Sequence, residues 1–525
     1  MEVVLNGNSL SIEQVCAVAR HGTKVSASRE AREKMQRSRD VIERCVAEGT
    51  AIYGVTTGIG EFARIRISPE QSAELQRRII YSHSAGTGNP QPEDVVRAAM
   101  LLRANVLAKG YSGVRVCLID TVLDMINRGV VPYINEKGSL GVSGDLSPLS
   151  QFAEVAIGEG RAWYKGELMS GGEAMKKAGV KPTDLTYKEG LGLINGSQMM
   201  TGGAALLVYD AERILKNAVI AAAMSADALR AVARAFHPLV HKVRPFGGQN
   251  AVAANLLKLF AESEVMAHRT GRVQDGYSVR CTPQAMGPSF DTLEYVRKVV
   301  TTEMNSAADN PLFFGDEGEY FAAGNFHGQN VGMATDFLCI AMSEIADLAE
   351  RHINRLMNPT LSGLPDFLVE GKGLNSGLMV SQYTAAALVS ENKVLSHPAT
   401  VDSISVSADQ EDHVSMGPIA VRKCTEILKN VRTVLAIEMM AAAQAFEFQE
   451  GRRPGKGTAV AYDLIREKVP PLENDRVLYP DIEAIRLMIE DCSILQAVEA
   501  EVGLLALARD MDLSGPNVEP EETRV

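Results

Sequence analysis

Long stretches of the chain repeat apolar residues at helical spacing. The clearest covers residues 202–236, where GGAALLVYDAERILKNAVIAAAMSADALRAVARAF places apolar positions every three or four residues among many alanines. This pattern predicts a long helix that allows close contact with other helices. Residues 329–357, 376–395 and 421–448 show the same pattern with few helix breakers. Helices of this length indicate a mainly α protein built around a long central helical bundle.

The predicted helix length and the frequency of glycine-rich loops change twice along the chain. Shorter helical segments at 70–81 and 92–107 alternate with glycine-rich loops in the first part, and GRRPGKGT opens a last part of short helices and a polar, acidic tail. We therefore predict three consecutive domains. They are an N-terminal domain rich in glycine loops over residues 1–201, a central long-helix domain over 202–450 and a C-terminal region over 451–525.

Composition narrows the class of protein. The 525 residues carry a net charge of -12 with both signs scattered along the chain, so no basic face is available for nucleic acid. Seven cysteines lie far apart without a CxxC spacing, and we predict that they are reduced core residues. The histidines have no metal-ligand spacing, and neither a secretion signal nor an apolar stretch of membrane-spanning length is found. We expect a cytoplasmic protein with no metal, no membrane partner and a small-molecule substrate.

One glycine-rich loop stands out among the predicted helices. The stretch KGSLGVSGDLSPLSQ places Ser143 between Val142 and Gly144. By residue type alone it is typical of a turn, because glycine allows positive φ and serine bonds its own backbone. Other motifs change this interpretation. In chain order they are IYGVTTGIG, GSLGVSGDLSPLS, EGLGLINGSQ, VQDGYSVRCTPQ, NSAADNPLFF, GNFHG and SENKVLSHPATVDSISVSADQEDHVSMG.

In these motifs, which extend over nearly the whole chain, the sequence resembles the ammonia-lyases and 2,3-aminomutases that act on aromatic amino acids through a 4-methylideneimidazol-5-one (MIO) group. Among them it is most similar to the histidine ammonia-lyases. The resemblance implies a fold of the histidase/fumarase-like superfamily, with the MIO loop in the N-terminal catalytic domain. It also implies a homotetramer whose active sites each draw loops from three chains, and helix amino termini that point at the MIO group.

The resemblance gives the loop a chemical role. In the family, the backbone nitrogen matching Gly144 attacks the carbonyl matching Val142, and two waters are lost, one of them with the Ser143 hydroxyl. The product is an electrophilic alkene made by the chain itself. The family usually has alanine where this chain has Val142. Because only the carbonyl of that residue enters the ring, we expect the ring to form, while the β-branched side chain tightens the pocket or slows maturation.

Further residues match the family's catalytic positions. The resemblance makes Tyr53 the base that removes the β-proton, which requires a pKa below the usual value of about 10. Arg280 would bind the substrate carboxylate with its guanidinium fork, and Tyr277 would line the same cavity. Gln274 and Asn195 would hydrogen-bond the MIO oxygen and the substrate amine. By residue type alone, Tyr53 also fits a core position, Arg280 a salt bridge, and the two amides a satisfied loop.

The remaining matches surround the substrate. The resemblance assigns Asn325 to the carboxylate end and Phe326 to an apolar wall beside the MIO ring. Ser82 and His83 stand where the family reads the side chain of the substrate, and a polar pair there favours a polar ring. Glu411 matches the carboxylate that histidine ammonia-lyases direct at the imidazole. Facing a phenyl ring, that carboxylate would be an unsatisfied buried charge.

The sequence leaves alternatives open. GVTTG and the following Glu61 are similar to tyrosine-directed members, His83 fits a phenol as well, and Phe246 replaces a histidine usual in the histidine enzymes. Lyases and aminomutases share every residue named above and differ in whether the unsaturated acid escapes or is attacked again. We predict an ammonia-lyase that converts L-histidine to trans-urocanate. The alternatives are a tyrosine ammonia-lyase, an aromatic 2,3-aminomutase acting on tyrosine or histidine, and a catalytically inactive helical scaffold.

Overall fold

The computed structural model describes residues 2–268 and 270–511, apart from the side chain of Pro69. The described chain is mainly α, as the apolar pattern predicts, and the acidic tail lies outside the described residues. Short 3-10 helices cover Gly60–Arg64, Ala233–Phe236, Asp366–Leu368 and Ala508–Asp510. The α-helices are Ile12–His21, Arg29–Ala47, Pro69–His83, Glu93–Ala108, Val116–Arg128, Leu146–Ala156, Gly171–Ala178, Glu189–Ile194, Gln198–Ala228, Pro238–Lys242, Gly247–Phe260, Glu264–Ala267, Tyr277–Arg280, Thr282–Met304, Gln329–Met357, Pro359–Ser362, Met379–Leu395, Gly417–Phe446, Lys456–Lys468, Tyr479–Glu490 and Ser493–Val502.

The strands are short and form small separate sheets. One pair is parallel, and the others are antiparallel. The pairings are Val3–Leu5 with Val25–Ala27, Thr87–Pro90 with Asn135–Lys137, Val130–Pro132 with Arg161–Tyr164, Arg161–Tyr164 with Glu167–Ser170, and Leu312–Phe314 with Glu319–Phe321.

The described chain divides into two compact units, each assembled from three segments. The first, called the loop unit, consists of the described residues up to Tyr209 together with Val296–Asp336 and Pro398–Arg422. The second, called the helix unit, consists of Asp210–Tyr295, Phe337–His397 and the described residues from Lys423 onward. Four of the five dividing points fall within long helices, and the fifth, between His397 and Pro398, lies just after helix Met379–Leu395. The predicted division into three consecutive domains stays a prediction.

A buried ion network stabilises the loop unit. Arg103 donates to one carboxylate oxygen of Asp309 at 3.0 Å, and Lys188 donates to the other at 2.8 Å. All three side chains are completely buried. Because buried charges are tolerated only when fully paired, this network fixes the segment around Asp309 against helix Glu93–Ala108.

Small residues allow close helix contacts in the helix unit. Gly248 of helix Gly247–Phe260 lies against Gly287 of helix Thr282–Met304. A Cβ atom at Gly248 would stand 2.0 Å from the carbonyl oxygen of Gly287. The same need for close contact explains why the alanines at 441–443 in Gly417–Phe446 are fully buried.

Two sequence predictions need correction. The helix predicted over 202–236 ends at Ala228, because Arg230 adopts a left-handed φ of 54°. As predicted, none of the seven cysteines forms a disulfide, but Cys117 is exposed and Cys281 and Cys492 are half-buried, so these three are not core residues. In the described part of the chain, no helix is long and apolar enough to cross a membrane.

Candidate active site

The loop of residues 139–145, called the serine loop, is held by backbone contacts to Gly196. The amide of Gly196 donates to the carbonyl of Ser143 at 3.2 Å, and the amide of Asp145 donates to the carbonyl of Gly196 at 2.7 Å. Gly144 has a φ of +75°, and a Cβ there would lie 2.2 Å from the carbonyl carbon and oxygen of Gly196. The position therefore requires glycine on two separate grounds, its backbone conformation and the space available.

Three helices begin next to the serine loop. Leu146–Ala156 follows it directly, and Gln198–Ala228 begins two residues after the loop's partner Gly196. Gly417–Phe446 begins just after Met416, whose amide donates to the carbonyl of Leu140 at 2.9 Å. The amino end of a helix carries partial positive charge, so the loop lies in an environment that stabilises negative charge.

Asp145 is a completely buried carboxyl group inside this arrangement. It accepts hydrogen bonds from the amide of Met200 at 2.9 Å and from the hydroxyl of Ser139 at 3.4 Å. Burial raises the pKa of Asp145 to about 7, against the lowering effect of these donors, and the nearby Glu303 raises it further. The sequence analysis missed this residue, although its position directly after Gly144 was a usable signal.

Asn195 lies beside the serine loop with an unused acceptor. Its side chain is 3% exposed, its Nδ2 donates to the carbonyl of Asn310 at 3.3 Å, and its carbonyl oxygen Oδ1 has no partner among the described residues. The backbone carbonyl of Asn195 accepts from Arg103 at 2.7 Å, which ties it to the buried ion network. A rigidly held amide with a free buried acceptor is suited to binding a polar group of a ligand.

Tyr53 and Glu411 are electrostatically coupled. The hydroxyl oxygen of Tyr53 accepts a hydrogen bond from the amide of Gly60 at 3.0 Å. Burial raises the pKa of Tyr53, the Gly60 donor opposes this, and the charge of Glu411 raises it further. Burial also raises the pKa of Glu411. The described residues therefore do not give Tyr53 the lowered pKa that a base requires.

His83 ends helix Pro69–His83 with a fixed ring. Its Nδ1 lies 2.8 Å from the carbonyl of Ile79 and 2.9 Å from the hydroxyl of Ser82. The Ser82 hydroxyl donates to the same carbonyl at 3.1 Å. Burial lowers the pKa of His83, so the ring is neutral near physiological pH. With its Nδ1 proton donated to the carbonyl, Nε2 is left as an acceptor.

The stretch that carries the predicted wall residue Phe326 contacts the segment that carries Glu411 through a stacked pair of histidines. His327 and His413 stack with ring centroids 5.6 Å apart. This contact joins the GNFHG stretch, in which Asn325 is exposed and Phe326 is half-buried, to the segment that carries Glu411. The loop unit thus contains the serine loop, Asn195 and the residues predicted to contact the substrate side chain, which are Ser82, His83 and Glu411.

The other predicted site residues belong to the helix unit. They lie in residues 274–280, called the arginine segment. Arg280 donates a hydrogen bond to the side-chain oxygen of Gln274, and its guanidinium carbon lies 4.7 Å from the ring centroid of Tyr277. Tyr277 is 73% exposed. These three side chains form a cationic, solvent-facing group. Among the described residues, no group of three or more His, Cys, Asp or Glu is arranged to hold a metal ion.

Comparison with known proteins shows the family of this chain. The model of the family described as aromatic amino acid lyase matches residues 10–467. The chain belongs to the aromatic amino acid lyase family. A relative named histidine ammonia-lyase, from Caldanaerobacter subterraneus subsp. tengcongensis, is 52% identical over 501 residues, which cover 95% of this chain and 99% of the relative. The family resemblance seen in the sequence motifs is confirmed.

Solved structures of family members have the same fold. The histidine ammonia-lyase of Trypanosoma cruzi superimposes with a TM-score of 0.90 at 39% identity, covering 100% of both chains. The tyrosine aminomutase of Streptomyces globisporus gives a TM-score of 0.91 at 38% identity, covering 95% of this chain and 99% of the other. The predicted mainly α fold of this superfamily is therefore confirmed for this aromatic amino acid lyase.

Proposed function

We propose that this aromatic amino acid lyase eliminates ammonia from L-histidine and releases trans-urocanate. The observation that carries the proposal is the presence of both Glu411 and a fixed, neutral His83 in the unit that contains the serine loop. The name of the relative that is 52% identical supports the same substrate. An imidazole offers one N–H donor and one acceptor. Its N–H can donate to the Glu411 carboxylate or to Nε2 of His83, whereas a phenyl ring has no donor for either acceptor.

The residues of the serine loop fit an MIO group made from Val142, Ser143 and Gly144. Gly144 has a left-handed φ of +75°, the Gly196 backbone excludes a Cβ there, and the lack of a side chain leaves its nitrogen unhindered. The free Oδ1 of Asn195 is available to a polar group at the loop. The MIO group supplies an electron-poor alkene that accepts the substrate amine. The three adjacent helix amino termini stabilise negative charge at that point.

Other residues of the chain remove the proton and hold the substrate. Tyr53 removes the β-proton of the substrate, and Glu411, coupled to it, orients the imidazole. Because burial raises the pKa of Tyr53, the base form needs positive charge or hydrogen-bond donors beyond those that surround it in the described chain. In the completed assembly Arg280 and Asn325 are assigned to the substrate carboxylate, Gln274 and Tyr277 to the surroundings of Arg280, and Phe326 to the apolar surface that shields the ring.

We infer that the active site is completed in a homotetramer of cytoplasmic enzyme molecules. Tyr277 is 73% exposed and Arg280 is half-buried, and both leave their polar groups open to solvent in the single chain. Exposed guanidinium and phenol groups that bind substrate gain strength when another surface excludes water from them. Residues of a neighbouring molecule in the tetramer would also provide the positive charge or hydrogen-bond donors that Tyr53 lacks in the single chain.

A second candidate is a tyrosine-directed lyase or 2,3-aminomutase. It is favoured by the GVTTG stretch with Glu61 and by the likeness to the Streptomyces globisporus tyrosine aminomutase. Val142, Ser143, Gly144, Tyr53 and Arg280 would keep the same roles. The hydroxyl of the substrate would then bond His83 in place of an imidazole nitrogen.

One incubation experiment separates these functions. Purified protein is supplied separately with L-histidine and L-tyrosine, and chromatography follows urocanate, coumarate and both β-amino acids. We expect urocanate with released ammonia. Coumarate or β-tyrosine without urocanate would overturn the choice of histidine, and β-histidine would overturn the lyase outcome. If no product forms from any aromatic amino acid, the chain is an inactive scaffold.

A further inference from the structure

His352 is a buried ring with an acceptor at each nitrogen. Its Nδ1 lies 2.7 Å from a carboxylate oxygen of Glu438, and its Nε2 lies 2.7 Å from the backbone carbonyl of Ser278. The side chains of His352 and Glu438 are 2% and 1% exposed. The same carboxylate oxygen accepts a hydrogen bond from the hydroxyl of Ser225 at 2.8 Å. A carbonyl cannot donate, so Nε2 carries a proton, and a proton on Nδ1 matches the contact to the Glu438 oxygen that also accepts from Ser225.

The charge on His352 is consistent with its surroundings. Burial and the positive charge of Arg355 lower the pKa of His352, but the Glu438 carboxylate and the two hydrogen bonds outweigh them, and the pKa is raised. The result is a buried imidazolium held between a carboxylate and a peptide carbonyl. A charge-assisted hydrogen bond of this kind is stronger and shorter than a neutral one.

The carbonyl that His352 holds belongs to the arginine segment. Ser278 lies between Tyr277 and Arg280 in the short helix Tyr277–Arg280. The hydroxyl of Thr282 lies 2.9 Å from the Ser278 carbonyl and 2.9 Å from the Val279 carbonyl, so these two carbonyls share its hydrogen. Within this segment the buried residue Asp275 accepts from the amide of Val232 at 2.6 Å. The backbone is thus fixed on the protein side, while the side chains that would meet the substrate point to solvent.

Holding one peptide fixes the side chains on both sides of it. The Ser278 carbonyl is part of the planar peptide between Ser278 and Val279, so its hydrogen bonds restrict the dihedrals of those two residues directly. Tyr277 and Arg280 adjoin them on either side in the same single turn of helix, so the directions of their Cα–Cβ bonds depend on this peptide. Arg280 has a long, flexible side chain, and a preformed backbone lowers the entropy that binding a carboxylate would cost. An isolated turn of helix has no comparable internal stability, because helix nucleation is unfavourable.

We propose that His352 is a positioning residue for the carboxylate-binding end of the active site. Its imidazolium, held by Glu438, fixes the Ser278 carbonyl and thereby aims Tyr277 and Arg280 at the carboxylate of the amino acid. The inference rests on the proposed function, because it assigns the carboxylate to Arg280. The proposal thus adds a buried residue, His352, that contacts neither the substrate nor the reacting atoms.

The test compares ligands that differ only in the carboxylate. We expect His352→Gln to raise the KM for L-histidine about tenfold and to change kcat by less than about threefold. The inhibition constant of D-histidine should rise by a similar factor, while that of histamine, which has the same ring and amine without a carboxylate, should change by less than about twofold. If the wild-type enzyme prefers L-tyrosine, the matched pair is D-tyrosine and tyramine.

His241→Gln is the matched control. His241 is also a buried histidine of the helix unit, 1% exposed, but it bonds the carbonyl of Ala235 and the side chain of Gln249. Its replacement should lower thermal stability without changing the ratio of the D-histidine and histamine inhibition constants. A loss of both ligands to the same extent in His352→Gln would mean a merely structural role and would overturn the proposal.

A double-mutant cycle gives a second, independent readout. If His352 acts through Arg280, the D-histidine effects of His352→Gln and Arg280→Lys should be less than additive in the combined variant. Full additivity overturns the proposal. If His352→Gln does not fold, Thr282→Val removes the other donor to the Ser278 carbonyl, and it should give a smaller loss confined to the same ligand. An equal loss of histamine in that variant also overturns it.

The outcomes separate this inference from the proposed function. If the wild-type chain neither binds nor converts an aromatic amino acid, the proposed function has failed. If it converts one and His352→Gln leaves the carboxylate preference unchanged, only the role of His352 has failed.

Discussion

The serine loop and the arginine segment achieve their geometry in opposite ways. The serine loop is fixed by contacts between backbone atoms, with Gly144 and Gly196 so close that no side chain fits between them. The arginine segment is fixed by buried side chains, through Asp275 and the His352 contact to Ser278, and it presents Tyr277 outward. The first region is suited to chemistry on the backbone itself, whereas the second is suited to holding a ligand.

This difference indicates where substitutions should act. Changes in the serine loop should prevent formation of the reactive group or remove catalysis, because that geometry cannot be rebuilt by a mobile side chain. Changes in the arginine segment should weaken substrate binding and leave the reactive group intact. The predictions below test this division, beginning with the largest effect.

Replacing the serine should give the largest loss. We expect Ser143→Ala to lower kcat by more than about a thousandfold, since the alkene cannot form without the hydroxyl as leaving group. The near-ultraviolet absorbance of the MIO group should disappear at the same time. Ser150→Ala is the control, because the buried Ser150 hydroxyl only bonds the carbonyl of Leu146 within the next helix. Normal activity in Ser143→Ala would contradict the assignment of the reactive group to the serine loop.

Removing the Tyr53 hydroxyl should separate catalysis from ring formation. Tyr53→Phe should lower kcat about a thousandfold, the range expected when a general base is lost, while the near-ultraviolet band stays. The control is Tyr320→Phe, because the Tyr320 hydroxyl donates only to the carbonyl of Ala51 at 3.0 Å. Steady-state kinetics together with absorbance spectra check both parts. An unchanged kcat would assign the base to another group.

The arginine segment should respond mainly in KM. Arg280→Lys replaces a fork of donors by a single ammonium, and we expect the KM for the amino acid to rise at least about tenfold with the MIO band unchanged. Arg29→Lys is a surface control, since Arg29 is exposed and pairs only with Glu33. A loss of the MIO band in Arg280→Lys would contradict the separation of the two regions.

The smallest effect on catalysis concerns Asp145, whose contribution is to stability. Folded Asp145 holds its proton up to about pH 7, whereas the unfolded carboxyl loses its proton near pH 4. Between these values the folded state binds more protons, so its stability falls as pH rises, by up to about 4 kcal/mol.

Asp145→Asn removes this titration. Relative to the variant, the wild type should gain stability when pH falls from about 7 to about 5, as measured by calorimetric unfolding. Asp124→Asn, at a half-exposed position, should follow the wild type. A difference between wild type and Asp145→Asn that does not change with pH would mean that Asp145 is ionised in the folded chain.

The sequence was informative where one physical signal dominates. The apolar period over 329–357 predicts the helix Gln329–Met357, and the predicted helix over 376–395 is found as Met379–Leu395. The helix Thr282–Met304 was not predicted, because Gly287 and Pro288 interrupt its pattern. That glycine is needed for close contact with another helix, which a sequence pattern does not reveal.

The candidate site was predictable in its residue types but not in its physical state. The resemblance in the motifs predicts Tyr53 as the base, yet the burial that raises its pKa depends on residues distant in sequence. The same holds for Asp145 and for His352, whose partner Glu438 is 86 residues away. Contacts between residues so far apart in the sequence are set by the fold, so the sequence alone does not reveal them.

The central claim is that residues 142–144 close into a ring, and peptide mass spectrometry tests it most directly. Tryptic cleavage after Lys137 and Arg161 releases a peptide of residues 138–161 that contains the whole triplet. We predict that the mass of this peptide is lower than the mass calculated from its sequence by two water molecules. The Ser143→Ala peptide should not show this loss of two waters. A wild-type peptide at the full mass of its sequence would contradict the account.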